Sequence, residues 1–171
     1  MEDLSQYIRD VKDYPKEGIV FKDITTLWKK GDAFKKSLDI LIEKYKGKGI
    51  DKVVAAEARG FIIGAPLAYG LRAGFVPVRK VGKLPADVIK ASYELEYGTD
   101  TLTMHKDAIE AGEKILIADD LIATGGTCRA IAELVEQLGG KIISFAFLVE
   151  LSFLKGREKI KDYDFFSVIK Y

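Results

Sequence analysis

The sequence predicts an α/β fold: a parallel sheet flanked by helices, with an N-terminal hood and a two-stranded flexible lid. Three observations carry that expectation. Short, branched apolar runs at Val53–Ala56, Phe75–Val78, Ile115–Ala118 and Ile142–Val149 read as strands buried on both faces. Helical stretches separate the first run from the second and the third from the fourth, as in strand–helix–strand units. Three of the runs end in charge: Glu57 with Arg59, Arg79 with Lys80, and Asp119 with Asp120. Ligands of such sheets lie beyond the carboxyl ends of the strands, so three charged ends on one rim mark a site.

The 171 residues are expected to form one domain, with the hood at about 13–26 and the lid at about 81–104. Pro15 and Gly18 mark turns in the hood, and Ile19, Val20, Phe21 and Ile24 form an apolar cap. A helix follows, with Asp32 as its N-cap and Phe34, Leu38, Leu41, Ile42 and Tyr45 on one face. Gly47 or Gly49 ends it. After Val53–Ala56, the stretch from Phe61 to Leu71 is helical, and Gly64 and Ala65 allow close packing on the sheet. Gly82, Pro85 and Gly98 break the next segment. Tyr93–Tyr97 and Thr101–Met104 alternate in strand fashion, with Glu94 and Glu96 on one face, and they make the lid. Phe165–Ile169 adds an edge strand.

The centre of the chain is the run from Lys114 to Thr127. A strand leads into Asp119 and Asp120, then Ala123-Thr-Gly-Gly-Thr127, then a helix with Ile131, Leu134, Val135 and Leu138 on one face. Amides freed by a glycine turn at a helix start bind anions, and the helix dipole favours negative charge there. The run matches neither of the two commonest phosphate loops. Read alone, it also admits a plain glycine-rich turn with two solvated acids. Paired carboxylates without a local basic partner favour a ligand instead. A phosphate for the glycine loop, a diol for the acids and a second anionic group for Arg59, Arg79 and Lys80 describe 5-phosphoribosyl 1-diphosphate with its magnesium ion.

With 27 basic and 26 acidic side chains, bulk charge gives no reason to expect a nucleic-acid partner. A single cysteine fits a reducing compartment. Met1 to Asp10 carries no apolar signal core, and no apolar run is long enough to cross a bilayer. A soluble, cytoplasmic protein without membrane contact is expected.

Ile115 to Thr127 resembles the signature of the type I phosphoribosyltransferases. The segments Gly18-Ile-Val-Phe-Lys-Asp-Ile-Thr25, Glu57-Ala-Arg-Gly-Phe61, Pro77-Val-Arg-Lys80, Gly82-Lys-Leu-Pro85, Ser92-Tyr-Glu-Leu-Glu-Tyr-Gly98 and Leu154-Lys-Gly-Arg-Glu158 narrow the resemblance to the adenine phosphoribosyltransferases, over essentially the whole chain. It implies their Rossmann-like fold and transfer of ribose 5-phosphate to N9 of adenine, giving AMP and diphosphate. Ala123, Thr124, Gly125, Gly126 and Thr127 would hold the 5′-phosphate. Asp119 and Asp120 would bind the ribose hydroxyls, directly or through water on magnesium, and steady a cationic sugar. No protein metal cage is implied, because magnesium leans on the substrate's phosphates. Arg59 and Lys80 would grip diphosphate, and in the family's homodimer Arg79 and Lys83 reach the neighbouring subunit's site. The main chain near Val20 and Lys22 would read adenine packed on Phe21, although many relatives carry arginine in place of Lys22. Glu96 would protonate or hydrogen-bond N7, and Tyr97 would stack or close over the site.

Outside that resemblance, Glu94 reads as a solvated strand face, His105 as a hairpin residue and Cys128 as packing. Trp28 reads as core or dimer contact. Two alternatives remain at this stage: a phosphoribosyltransferase for xanthine or hypoxanthine, and a non-catalytic regulator that senses the phosphoribosyl diphosphate. The short stretch before the hood leaves no space for a helix-turn-helix, which disfavours the second.

Overall fold

A computed structural model describes residues 3–94 and 98–171. Glu96 and Tyr97 lie outside the described residues. Four buried strands run parallel where the apolar runs predict them: β3 (Lys52–Ala56), β4 (Gly74–Lys80), β7 (Lys114–Ile122) and β8 (Lys141–Glu150). β9 (Phe165–Lys170) pairs parallel with β8 and closes one edge, as expected. The other edge is an antiparallel hairpin of β5 (Val88–Glu94) and β6 (Thr99–His105). The sheet has seven strands in the order β5-β6-β4-β3-β7-β8-β9.

Neighbouring strand residues go to opposite faces, which is why the runs are apolar throughout. Val53, Leu116 and Ala146 face one core, beneath α2 (Gly31–Tyr45) and α3 (Arg59–Leu71). Val54, Ile117 and Phe147 face the other, beneath α4 (Gly126–Gln137). Gly64 lets α3 sit close on the sheet, since a Cβ there would stand 2.7 Å from the Ala55 methyl. Ala65, expected to share that role, is exposed.

Three boundaries differ from expectation. Asp32 does not cap α2; the helix starts at Gly31, and Asp32 lies in its first turn, where its charge suits the dipole. The N-terminal segment contains a two-stranded sheet, β1 (Arg9–Lys12) with β2 (Val20–Asp23), followed by the short α1 (Thr25–Trp28). Oppositely charged side chains face each other across it: Arg9 pairs with Asp23, and Lys22 Nζ lies 2.7 Å from Asp10. Such pairing is invisible along one strand, because β1 alone is a short polar stretch. The segment expected as a lid grows out of the main sheet, since β6 pairs with β4 at Arg79↔Thr103 and Lys80↔Leu102. Its first strand begins at Val88, five residues before the start expected at Tyr93.

Candidate active site

A cavity of about 290 Å³ opens at the carboxyl ends of β3, β4 and β7. Its walls are the turn after β3, Lys80 at the end of β4, Tyr93 of β5, the two aspartates and the glycine loop. The acids do not follow their strand, as the apolar run alone suggests. They lie inside β7, because its ladder with β8 continues past them to Ile122↔Glu150.

Asp120 is buried, and Asp119 is half-buried. Burial pushes both carboxyls above the usual range, and the adjacent charge of Asp120 pushes Asp119 further. Arg59, at the start of α3, opposes this at Asp120: its Nε stands 3.1 Å from Asp120 Oδ2. The contact lacks hydrogen-bond alignment, and no described residue supplies Oδ2 with a hydrogen bond. The Asp120 backbone N–H donates to Asp119 Oδ1 at 2.9 Å. Gly60 makes room for this carboxylate, since a Cβ there would stand 2.8 Å from Asp119 Oδ1.

The loop turns into α4 at Gly125, whose φ of 79° lies in the left-handed region. The amides of the first helical turn have no intrahelical acceptor and are available to an anion. Gly156, on the segment after β8, presses its backbone against Ala123 and Gly125. A Cβ on Gly126 would stand 3.4 Å from the Tyr93 ring and 3.9 Å from Lys159 Nζ.

At the opposite end of the cavity, Glu57 ties β3 to β4. Its Oε2 accepts from Arg79 Nε and Nη2 at 3.0 and 2.9 Å, and its Oε1 accepts the Lys80 N–H at 2.8 Å. The Lys80 amide, ahead of the Arg79 guanidinium, holds the Glu57 carboxyl below its ordinary value. Arg79 also donates to the Lys83 carbonyl at 3.0 Å. Lys80 leaves its side chain in the cavity, with Nζ 3.0 Å from Asp100 Oδ2.

These features coincide with a known family. The family described as "Phosphoribosyl transferase domain" matches residues 24–170. An adenine phosphoribosyltransferase of Clostridium tetani is 56% identical over 169 residues, 99% of this chain and 98% of its own length. The chain belongs to the adenine phosphoribosyltransferases. Among solved structures, the family's enzyme from Thermoanaerobacter pseudethanolicus aligns with a TM-score of 0.94 at 54% identity, covering 98% of each chain. The Saccharomyces cerevisiae enzyme, complexed with an imino-altritol bisphosphate and adenine, aligns with a TM-score of 0.90 at 43% identity. That alignment covers 96% of this chain and 95% of the yeast one.

Of the residues expected to serve an adenine phosphoribosyltransferase, Arg59, Lys80, Asp119, Asp120 and Ala123 to Thr127 surround the one cavity. Arg79 and Lys83 are not in its walls, and neither are Val20, Phe21 and Lys22. Val20 is exposed, Phe21 meets Tyr14 edge-to-face at 5.2 Å, and Lys22 lies over the Tyr171 ring at 4.0 Å. Cys128 is buried, and burial pushes its thiol well up, which suits packing and not reactivity. His105 Nε2 meets the Pro85 carbonyl at 2.5 Å, a hairpin role. Sequence reasoning missed Asp100, Gly156 and Lys159. Only strand register could have flagged Asp100, which stands directly opposite Tyr93. No helix among the described residues is long and apolar enough to cross a membrane.

Proposed function

We infer that this chain transfers the 5-phosphoribosyl group of 5-phospho-α-D-ribose 1-diphosphate to N9 of adenine, releasing AMP and diphosphate in purine salvage. One observation carries the reading: a glycine anion loop, the paired acids Asp119 and Asp120, and a basic rim bound the same cavity. The bond from C1 to the diphosphate oxygen breaks and the bond from C1 to N9 forms, through a sugar that is cationic at C1. Ala123 to Thr127 hold the 5′-phosphate through amides and the two threonine hydroxyls. Asp119 and Asp120 bind the ribose hydroxyls and place negative charge beneath the developing cation. Arg59 and Lys80 meet the charge that builds on the departing diphosphate.

The buried Asp120 Oδ2, without a hydrogen bond, fits a site that receives positive charge. Asp119 and Asp120 would hold magnesium through water, and the ion would neutralise phosphate oxygens. In this reading the ion leans on the substrate's phosphates and needs no protein cage.

The base lies under the hood, read by the main chain near Val20 and Lys22 and packed on Phe21. Glu96 shares a proton with N7 as N9 attacks, and Tyr97 closes over the site. Adenine is the base named in the yeast complex, and 9-deazaadenine is named in the Giardia lamblia one, 38% identical over 99% of this chain. With magnesium and the phosphoribosyl diphosphate, purified protein is expected to consume adenine far faster than hypoxanthine, guanine or xanthine. Equal turnover of a 6-oxopurine would sink the adenine assignment, and tight diphosphate binding without turnover would indicate a sensor. In the same assay Glu96→Gln is expected to lower kcat at least tenfold with little change in KM; an unchanged kcat removes Glu96 from the mechanism.

The working unit is a homodimer of a cytoplasmic enzyme. Ile62 and Tyr69 expose apolar surface on α3 and Val81 does so just after β4, and Arg79 and Lys83 lie outside the chain's own cavity. Sedimentation equilibrium should return twice the chain mass; a monomer at micromolar concentration would refute the dimer.

A further inference from the structure

One carboxylate oxygen meets two residues of the cavity wall. Asp100 Oδ2 lies 3.0 Å from Lys80 Nζ and accepts from Tyr93 Oη at 3.3 Å. Its second oxygen is occupied by the Thr101 N–H at 2.8 Å, which orients the group. The register makes the meeting unavoidable. Tyr93 is directly opposite Asp100 in the hairpin, and Lys80 is opposite Leu102, two residues along the same face. Lys80, Tyr93 and Leu102 all line the cavity. Tyr93 in turn abuts Gly126 at the phosphate loop. The mechanism above uses Lys80 and leaves Asp100 without a part.

We propose that Asp100 is a positioning residue: it holds Lys80 beside the cavity and competes with the diphosphate for it. This rests on the reading in which Lys80 grips that diphosphate. An incoming group with several negative charges meets a lysine already half-neutralised, and Lys80 must leave Asp100 to serve it. The Lys80 side chain is 61% exposed, so the pair is weak enough to be broken by a multiply charged ligand. When the product diphosphate departs, Asp100 recaptures Lys80. Affinity is thereby traded for release, and the recaptured lysine stays near the cavity instead of sampling solvent.

The test is calorimetric titration of magnesium diphosphate, without a purine base, into the full chain. Asp100→Asn keeps the shape and removes the charge: its one oxygen can still accept the Thr101 N–H, with the amide nitrogen turned to donate to Tyr93 Oη. It is expected to bind diphosphate about two- to fivefold more tightly than the wild type, the range of an exposed ion pair. Asp100→Ser, a second route to the same loss of charge, should move affinity the same way. Lys80→Met should weaken binding about tenfold or more, and in that background Asp100→Asn should give no gain. Unchanged or weaker binding by both Asp100 variants overturns the competition, as does an equal gain without Lys80. Wild-type affinity in Lys80→Met instead removes Lys80 from the diphosphate site, a failure of the underlying reading that these titrations separate from a failure at Asp100.

Discussion

Replacing Gly125 by alanine is expected to lower kcat/KM for the phosphoribosyl diphosphate by about 10³-fold. Two local facts combine there. The residue has a φ of 79°, which an L side chain rarely adopts, and its added methyl would overlap the carbonyl of Gly156. That obstacle is backbone, so it cannot swing aside as a lysine tip would. The loop must move, and the amides aimed at the 5′-phosphate move with it. Each hydrogen bond to a charged group is worth about 1.5–3 kcal/mol, and losing two gives the stated loss. Gly126→Ala is the control. Its φ is not left-handed, and its methyl would first meet the Tyr93 ring at an ordinary 3.4 Å. It is expected to stay within about tenfold of the wild type. Steady-state kinetics with calorimetric titration of ribose 5-phosphate checks both, and similar losses in the two variants would show that crowding at Gly125 is not the cause.

What could be read from the chain beforehand follows from how local each signal is. The buried strands were legible because both faces of the sheet are covered, so each run is apolar without interruption, as in Val53 and Val54 facing opposite cores. The anion loop was legible because its strand, acids and glycines lie within fourteen consecutive residues, Lys114 to Thr127, with the helix following directly. Pairing across strands is not local, and the misses lie there. β1 is four mostly polar residues that become a strand only through Asp23 and Lys22 opposite them. β7 runs past its acids because β8 offers partners as far as Glu150. Glu57 does line the cavity, but its oxygens are taken by Arg79 and the Lys80 amide, a pairing across two strands that neither run shows by itself. Gly156 looks unremarkable in Leu154 to Glu158, yet it is the floor on which the phosphate loop rests.

Asp119→Asn should lower kcat by about 10²–10³-fold, the scale of removing one preorganised charge at a developing ion, while making the unliganded protein more stable. The second half follows from the sign of the pKa shift. Burial and the charge of Asp120 raise the Asp119 carboxyl, so the folded protein holds that proton more tightly than the unfolded chain does. Its contribution to stability is therefore greatest in acid and is lost as pH rises through the raised pKa. Where both are ionised, the unliganded protein carries two neighbouring negative charges, and Arg59 stands 3.1 Å from one of them, Asp120. Asparagine keeps the shape and removes one of them. Asp119 remains half-buried, so the gain belongs at the low end for a desolvated group, about 1 kcal/mol. For a chain of this size that is about 2–4 °C in melting temperature. The gap between variant and wild type should be widest near pH 8 and close as acid neutralises the wild-type pair. Saturating magnesium and phosphoribosyl diphosphate should reverse it, because the wild type then gains what the variant cannot bind as well. Thermal melts across pH with and without substrate decide the matter. A variant less stable than the wild type at every pH would mean that Asp119 supports the fold, and a wild-type kcat would mean that its charge does not serve the reaction.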